Sequence, residues 1–197
     1  MKKSNSKYLN SLKENINLKK KIISLDNKVS EYIEIIFKTL KNKKKIFICG
    51  NGGSAADAQH LSAEFLVRLR PAVNRRPLPV ISLALDTSTI TACGNDYNFD
   101  KLFARNLEAL ADYGDLLICI STSGNSKNIL NVLKKAKILG VQTLSLLGNG
   151  GGRAKDISSN SILIPSSNTA RIQEAHIFIG HVILESVEDK LLKNGLI

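Results

Sequence analysis

The stretch KKIFICGNGGSAADAQHLSAEF (residues 44–65) runs from a short apolar segment through glycines into an alanine-rich pattern. This order predicts a buried strand, a glycine loop (residues 50–53) and a helix. Glycine lets backbone N–H groups approach an anion, and a helix N-terminus favours negative charge. The loop therefore predicts a ligand site, and a plain strand-to-helix turn is the alternative.

The same alternation continues to the end of the chain. Apolar strands predicted at 44–50, 78–85, 115–121, 141–148 and 161–165 are separated by helices predicted at 54–69, 86–93, 99–111, 126–139 and 169–193. Continuous apolar strands between helices predict an α/β fold with a five-stranded parallel sheet covered on both faces. Ligands in such folds lie beyond the carboxyl ends of the strands. The expected rim comprises Gly50–Ser54, the region after Leu85, Ser121–Ser126 and Gly148–Gly152.

The N-terminal segment carries most of the charge. Residues 1–45 hold 13 Lys and 4 acidic residues, a net of +9, out of +11 for the whole chain. Its apolar spacing over 5–42 predicts two helices, so we expect residues 1–44 to pack on the 45–197 domain or on a partner subunit. A solvated lysine face is the favoured interpretation, and a polyanion patch is the alternative. Without interleaved aromatic residues or a base-reading motif, nucleic acid is not expected as a partner.

Composition is that of a globular protein, with 43% hydrophobic and 23% charged residues. No apolar run reaches the ~18 residues of a membrane helix, and no secretory signal is visible. Cys49, Cys93 and Cys119 form neither a CxxC motif nor zinc-finger spacing, so we expect reduced, buried thiols. These features predict a cytoplasmic protein without a membrane partner.

Nucleotide-binding motifs fit the glycine loop poorly. GNGGSA matches G-x-G-x-x-A, yet no acidic residue follows at the required ~20 positions, and no GK[ST] is present. Asn51 and Ser54 add side-chain donors, and Ser54 is a candidate helix cap.

The segment STSGNS (residues 121–126, the hydroxyl loop) ends the third strand. Ser121, Thr122, Ser123 and Ser126 surround Gly124 at a predicted helix start. One such residue suffices for capping, so four predict a phosphate cradle. The glycine that a G-x-S-x-G hydrolase elbow needs is replaced by Ser121.

Candidate reactive side chains lie on two helices. His60 and Glu64, four residues apart, share one face and form half a metal site or an ordinary helix pair. On the last helix, Gln173 and His181 differ by ~80° and can face one cleft, whereas His176 lies off that line. Asn95 and Asp96, in the predicted polar loop 94–100, are candidates for binding hydroxyls or for a turn.

Four motifs in this order give the chain a family resemblance. GNGGSAADAQHLSAE, LDTSTITACGNDYNFD, ISTSGNS and TARIQEAHIFIGH together resemble the phosphoheptose isomerases, sugar isomerase (SIS) domain enzymes. The resemblance spans about residues 45 to 190. It implies a three-layer α/β sandwich, a homotetramer and active sites between subunits.

The resemblance also implies roles for individual residues. Ser121, Thr122, Ser123 and Ser126 would bind the 7-phosphate. Glu64 would be the base that takes the C1 proton of the ketose, and His181 the complementary acid/base. One zinc ion per subunit would be bound by His60, Glu64, Gln173 and His181. The remaining sugar contacts would come from Asn51, Gly52, Gly53, Ser54, Asn95, Asp96 and Gln173, with Glu64 also in reach of the substrate.

The implied reaction interconverts sedoheptulose 7-phosphate and D-glycero-D-manno-heptose 7-phosphate through an enediol. It is the first step toward ADP- or GDP-heptose, which lipopolysaccharide and capsule synthesis use. A non-catalytic SIS protein that binds a replication initiator is the alternative. Members of that branch look like they lack the equivalents of Glu64 and His181, and this chain has both. Sugar-phosphate-sensing regulators are fused to a DNA-binding module, for which 197 residues leave no room.

Overall fold

The computed structural model describes residues 6–84 and 86–197, which fold around one sheet. Its helices are α1 (Lys7–Ile22), α2 (Asp26–Lys41), α3 (Gly53–Leu66), α4 (Thr87–Asp96), α5 (Leu102–Leu110), α6 (Lys127–Leu139), α7 (Ala154–Ile157) and α8 (Thr169–Lys193). Its strands are β1 (Ile46–Gly50), β2 (Val80–Ser82), β3 (Leu116–Ser121), β4 (Gln142–Leu147) and β5 (Asn160–Leu163).

The five strands form one parallel sheet in the order β2-β1-β3-β4-β5. In register, Cys49 pairs with Cys119 and Gly50 with Ile120, so β1 and β3 end side by side. The loops that follow these strands, the glycine loop and the hydroxyl loop, therefore leave the sheet as neighbours. The predicted parallel sheet is confirmed.

Each face of the sheet has its own apolar core. On one face, strand residues such as Ile48 and Ile118 pack with side chains of α1, α2, α3 and α8. On the other, Phe47 and Leu117 pack with α5 and α6. Alternate residues of a strand point to opposite faces, so these continuously apolar strands fill both cores. The three-layer α/β sandwich is confirmed.

Several predicted boundaries are wrong by a few residues. The strand predicted over 78–85 is Val80–Ser82, and it begins after Pro79, which lacks the N–H that a ladder needs. Leu85 lies outside the described residues. Helix α3 ends at Leu66 instead of 69, and α4 continues to Asp96, so residues 94–96 of the predicted loop 94–100 are α-helical.

The first two helices share the core of the domain. Tyr32 of α2 is 1% exposed, and its hydroxyl donates to the Ser145 carbonyl oxygen of β4 at 2.9 Å. Burial raises the pKa of this phenol. The division at residues 44 and 45 stays a prediction, and the described core runs across it.

Across ranges 6–84 and 86–197, no helix combines the length and the apolar character needed to cross a membrane.

Candidate active site

Helices α3 and α8 come into close contact because α8 has a glycine at the crossing. A Cβ on Gly180 would lie 2.7 Å from Leu61 Cδ1, a distance that packed side chains do not tolerate. The residues next to this pair are His60 and His181. The glycine therefore brings the two histidines of different helices together.

The two histidine rings meet at their Nε2 atoms, 2.8 Å apart, and are nearly perpendicular at 83°. Glu64 Oε1 lies 3.7 Å from His60 Nε2. The side chains are 45% exposed for His60 and 19% for Glu64, so a ligand can reach them. Three of the four predicted metal and acid/base residues thus converge.

Gln173 lies at the glycine loop. A Cβ on Gly53 would be 2.5 Å from Gln173 Nε2, so the glutamine amide lies directly over this position. The preceding Gly52 has φ +56° and ψ −122°, a conformation that strongly favours glycine. Gln173, the fourth residue of the helix-pair cluster (His60, Glu64, Gln173 and His181), thus lies next to the glycine loop.

The donor chemistry of this cluster suits zinc, with two imidazole nitrogens, a carboxylate and an amide oxygen. In the described parts of the chain, no three His, Cys, Asp or Glu side chains are prearranged as a metal site. Two nitrogen ligands of a tetrahedral zinc lie about 3.3 Å apart. The rings, at 2.8 Å, need to separate only slightly, so the two histidines fit the ion.

The hydroxyl loop uses hydroxyl oxygens as acceptors from its own backbone. Ser121 Oγ accepts the Gly124 N–H at 3.1 Å, and Ser123 Oγ accepts the Asn125 N–H at 3.2 Å. Both hydroxyls keep their O–H available for an anion. Ser126 occupies the N-cap of α6 without a side-chain capping bond. The loop thus carries hydroxyl groups directly before the free N–H groups at the start of α6, a combination that suits a phosphate.

A second glycine segment, residues 148–152, supports the hydroxyl loop. A Cβ on Gly124 would lie 1.9 Å from the Gly151 carbonyl oxygen, and one on Gly152 would lie 2.4 Å from Ser123 O. The Gly124 carbonyl accepts the Ala154 N–H at 2.9 Å. Sequence reasoning placed 148–152 on the rim, and the structure gives it a supporting position.

Asn128 is a site residue that sequence reasoning missed. Its side chain and that of Asn51 form two reciprocal amide hydrogen bonds, of 2.8 and 2.9 Å. Asn128 Oδ1 also accepts the Ile129 N–H. The pair joins the glycine loop to the first turn of α6 and fixes the Asn51 amide. Its position two residues after the hydroxyl loop was the available signal.

Other predicted residues take positions that differ from the expectation. Ser54 is not the helix cap, because α3 begins at Gly53 with Gly52 as N-cap; Ser54 is 3% exposed inside the first turn. Asn95 and Asp96 are exposed at the end of α4, where Asn95 Nδ2 donates to Asp96 Oδ1. As substrate contacts, all three stay predictions.

His176 faces the protein interior, as its position on the helical wheel indicated. It is fully buried, and within the described residues neither ring nitrogen has a hydrogen-bond partner. Burial lowers the pKa of His176 to about 4. The ring is therefore neutral at pH 7.

Comparisons with known proteins agree with this geometry. A family model described as SIS domain matches residues 7–148. The phosphoheptose isomerase of a Nitratiruptor species is 53% identical over 155 residues, 79% of this chain and 82% of that protein. That of Helicobacter pylori (strain P12) is 48% identical over 87% of this chain and 88% of its own length.

Solved structures give the same result. The structure of a phosphoheptose isomerase from Francisella tularensis has a TM-score of 0.89 at 33% identity, covering 93% of this chain and 97% of that one. The phosphoheptose isomerase from Neisseria gonorrhoeae has a TM-score of 0.85 at 36% identity, with coverages of 92% and 97%.

Proposed function

The chain belongs to the phosphoheptose isomerase family of SIS-domain proteins, and from this premise we propose the chemistry of its site. It is an aldose–ketose isomerase acting on sedoheptulose 7-phosphate and D-glycero-D-manno-heptose 7-phosphate. The observation that carries the site assignment is the convergence of His60, Glu64 and His181 where α3 and α8 pack together. The relatives do not support the replication-initiator alternative.

The phosphate end of the substrate binds at the hydroxyl loop in this proposal. Ser121, Thr122, Ser123 and Ser126 donate to phosphate oxygens, together with the first N–H groups of α6. Binding energy from this remote group orients carbons 1 and 2 at the other end of the sugar. Asn51 contacts the substrate in this proposal, and its amide is held in place by its hydrogen bonds to Asn128.

The reacting end lies at the helix-pair cluster. Glu64 removes the C1 proton of the ketose, and His181 exchanges a proton with carbon 2 or with oxygen. Gln173, over Gly53, donates to a sugar oxygen. Ser54, Asn95 and Asp96 complete the proposed sugar contacts.

A zinc ion bound by His60, Glu64, Gln173 and His181, one per subunit, would supply Lewis-acid polarisation of the carbonyl. Glu64 would then act both as the base and as a metal ligand, and these two uses of one carboxylate compete. Metal analysis of the purified protein, followed by activity after chelation and after readdition of zinc, tests this assignment.

We also propose the family's homotetramer, with active sites between subunits. An apolar cavity of about 390 Å³ between the first two helices and α8 supports an assembly. Ile23 and Phe178, which line it, are 73% and 46% exposed. Burying such side chains stabilises association by ~25 cal/mol per Å². Light scattering on the purified protein measures the assembled mass.

The proposed location is the cytoplasm, in keeping with three free thiols at positions 49, 93 and 119. The proposed use of the product is heptose precursor synthesis for lipopolysaccharide or capsule.

The experiment that tests the function follows sedoheptulose 7-phosphate in D2O by NMR, with zinc supplied. We expect aldose to appear and deuterium to enter at C1 or C2, because an enediol exchanges its proton with solvent. If no aldose appears and no deuterium enters the sugar, the isomerase assignment is refuted.

A further inference from the structure

The segment RLRPAVNRRPLP (68–79) follows α3 and contains none of the residues assigned to the site. In the structure one of its arginines, Arg75, has a fully buried side chain. Its Nη2 donates to the Glu64 carbonyl oxygen at 2.8 Å, and its Nη1 donates to the Phe65 carbonyl oxygen at 2.9 Å. The guanidinium therefore binds the main chain of the proposed base and of the next residue.

The Glu64 carbonyl needs a donor from outside the helix because α3 ends there, and the Phe65 carbonyl accepts the Leu78 N–H at 3.2 Å as well as Arg75. The last four carbonyl groups of a helix have no intrahelical partner, and α3 ends at Leu66. Glu64 thus lies in the final turn, where helices fray. A buried guanidinium that holds this turn also limits the movement of the Glu64 side chain.

The other side of the guanidinium is anchored on α8. Arg75 Nε donates to Glu188 Oε1 at 2.5 Å, and the Glu188 side chain is fully buried. Glu188 Oε2 accepts from Arg70 Nε at 2.7 Å. A buried carboxylate and guanidinium each need their partner, so this connection resists separation.

Two separate contacts consequently connect helices α3 and α8. One is the Gly180–Leu61 contact with the His60–His181 pair, and the other is the Arg75–Glu188 pair. Glu64 lies between them, one helical turn beyond His60.

We infer that Arg75 is a positioning residue for Glu64, which holds the last turn of α3 so that the carboxylate faces the reacting carbons. The inference rests on the proposed function, because it takes Glu64 as the base. It gives the 68–79 segment a role in the reaction, transmitted through the backbone.

Arg75→Lys tests this inference. Lysine keeps the charge for Glu188 but lacks the planar fork that reaches both carbonyls at once. We expect kcat to fall about 10-fold or more, with KM and phosphate affinity unchanged, since small misplacement of a catalytic group is costly. Deuterium exchange at C1 should fall in parallel. Arg76→Ala is the matched control: Arg76 is exposed in the same segment, donates to the Leu196 carbonyl, and should leave kcat at the wild-type value.

Glu188→Gln is the second variant and is decisive if the lysine variant does not fold. It removes the charge and keeps an acceptor for Arg75, so we expect a smaller kcat loss with the same unchanged KM. Unchanged kcat per folded enzyme in either folded variant, with a lower melting temperature, would make the pair purely structural and overturn the inference. Wild-type enzyme in the same series separates the two claims: its failure to turn over would refute the proposed function as well.

Discussion

The two ends of the candidate site are built in different ways. The hydroxyl loop is a contiguous segment whose donors are fixed by bonds to its own backbone and by the 148–152 glycines. The helix-pair cluster brings together side chains up to 121 residues apart in sequence, positioned by the packing of α3 on α8. Substitutions at the loop glycines should therefore disturb the hydroxyl loop, whereas substitutions where α3 contacts α8 should disturb the helix-pair cluster.

Removing the proposed base should have the largest effect. Glu64→Gln keeps the size of the side chain and removes its ability to accept a proton, so kcat should fall ~10³-fold. Affinity for sedoheptulose 7-phosphate, measured by calorimetry, should change little because the phosphate end is untouched. An active Glu64→Gln variant would remove Glu64 as base.

Disturbing the phosphate end should affect binding first. In Gly124→Ala the new methyl group meets the Gly151 carbonyl oxygen at 1.9 Å, at a residue with φ +63°. We expect the loop to shift and KM to rise about 10-fold or more, since charge-assisted bonds to phosphate are lost. Gly94→Ala, with no atom within 4 Å of its Cβ, is the control for a glycine-to-alanine change. Equal KM values in the two variants would contradict the loop's role.

Separating the helices should lower kcat with little effect on KM. The Gly180→Ala methyl group presses on Leu61 at 2.7 Å, and overpacking of this kind costs roughly 1–3 kcal/mol of stability. We expect kcat to fall several-fold as the histidines move apart. The double variant Gly180→Ala/Leu61→Val restores space and should recover part of both losses. No recovery in the double variant would show that the contact does not set the cluster.

The smallest effect on turnover at pH 7.5 is expected at His176, which faces the core. Its pKa, lowered to about 4 by burial, is below the ~6.5 of an unfolded chain, so the unfolded state takes up the proton first. Stability is therefore complete above pH ~6.5 and declines as the pH falls toward 4. Between pH 7.5 and pH 5, the free energy of unfolding measured in urea should fall by about 2 kcal/mol less in His176→Leu than in the wild type. Equal decreases in the two proteins would show that groups other than His176 cause the loss of stability in acid.

The same difference between the two ends explains what the sequence could predict. Strand and helix types followed from apolar spacing, and the hydroxyl loop was identifiable because its chemistry lies within six residues. The spacing of His60 and Glu64 alone left a metal pair and an ordinary helix pair open, because their partners come from α8. Family resemblance supplied that pairing.

One difference is local: Gly52 takes the N-cap position in place of Ser54, because the chain enters α3 with a positive φ. Two other features depend on tertiary contacts that no local pattern encodes. Asn128 pairs with Asn51 across two loops, and Arg75 reaches back to α3 from ten residues downstream. Each joins segments that the fold, not the sequence order, places side by side.

The central claim is that phosphate binds at the hydroxyl loop while carbons 1 and 2 lie at the helix-pair cluster. A crystal structure of the Glu64→Gln protein with sedoheptulose 7-phosphate tests it most directly. The account predicts phosphate oxygens within hydrogen-bond distance of Ser121, Ser123 and Ser126, and carbon 1 next to the side chain at position 64. Phosphate bound at His60 and His181, with the hydroxyl loop empty, would contradict it.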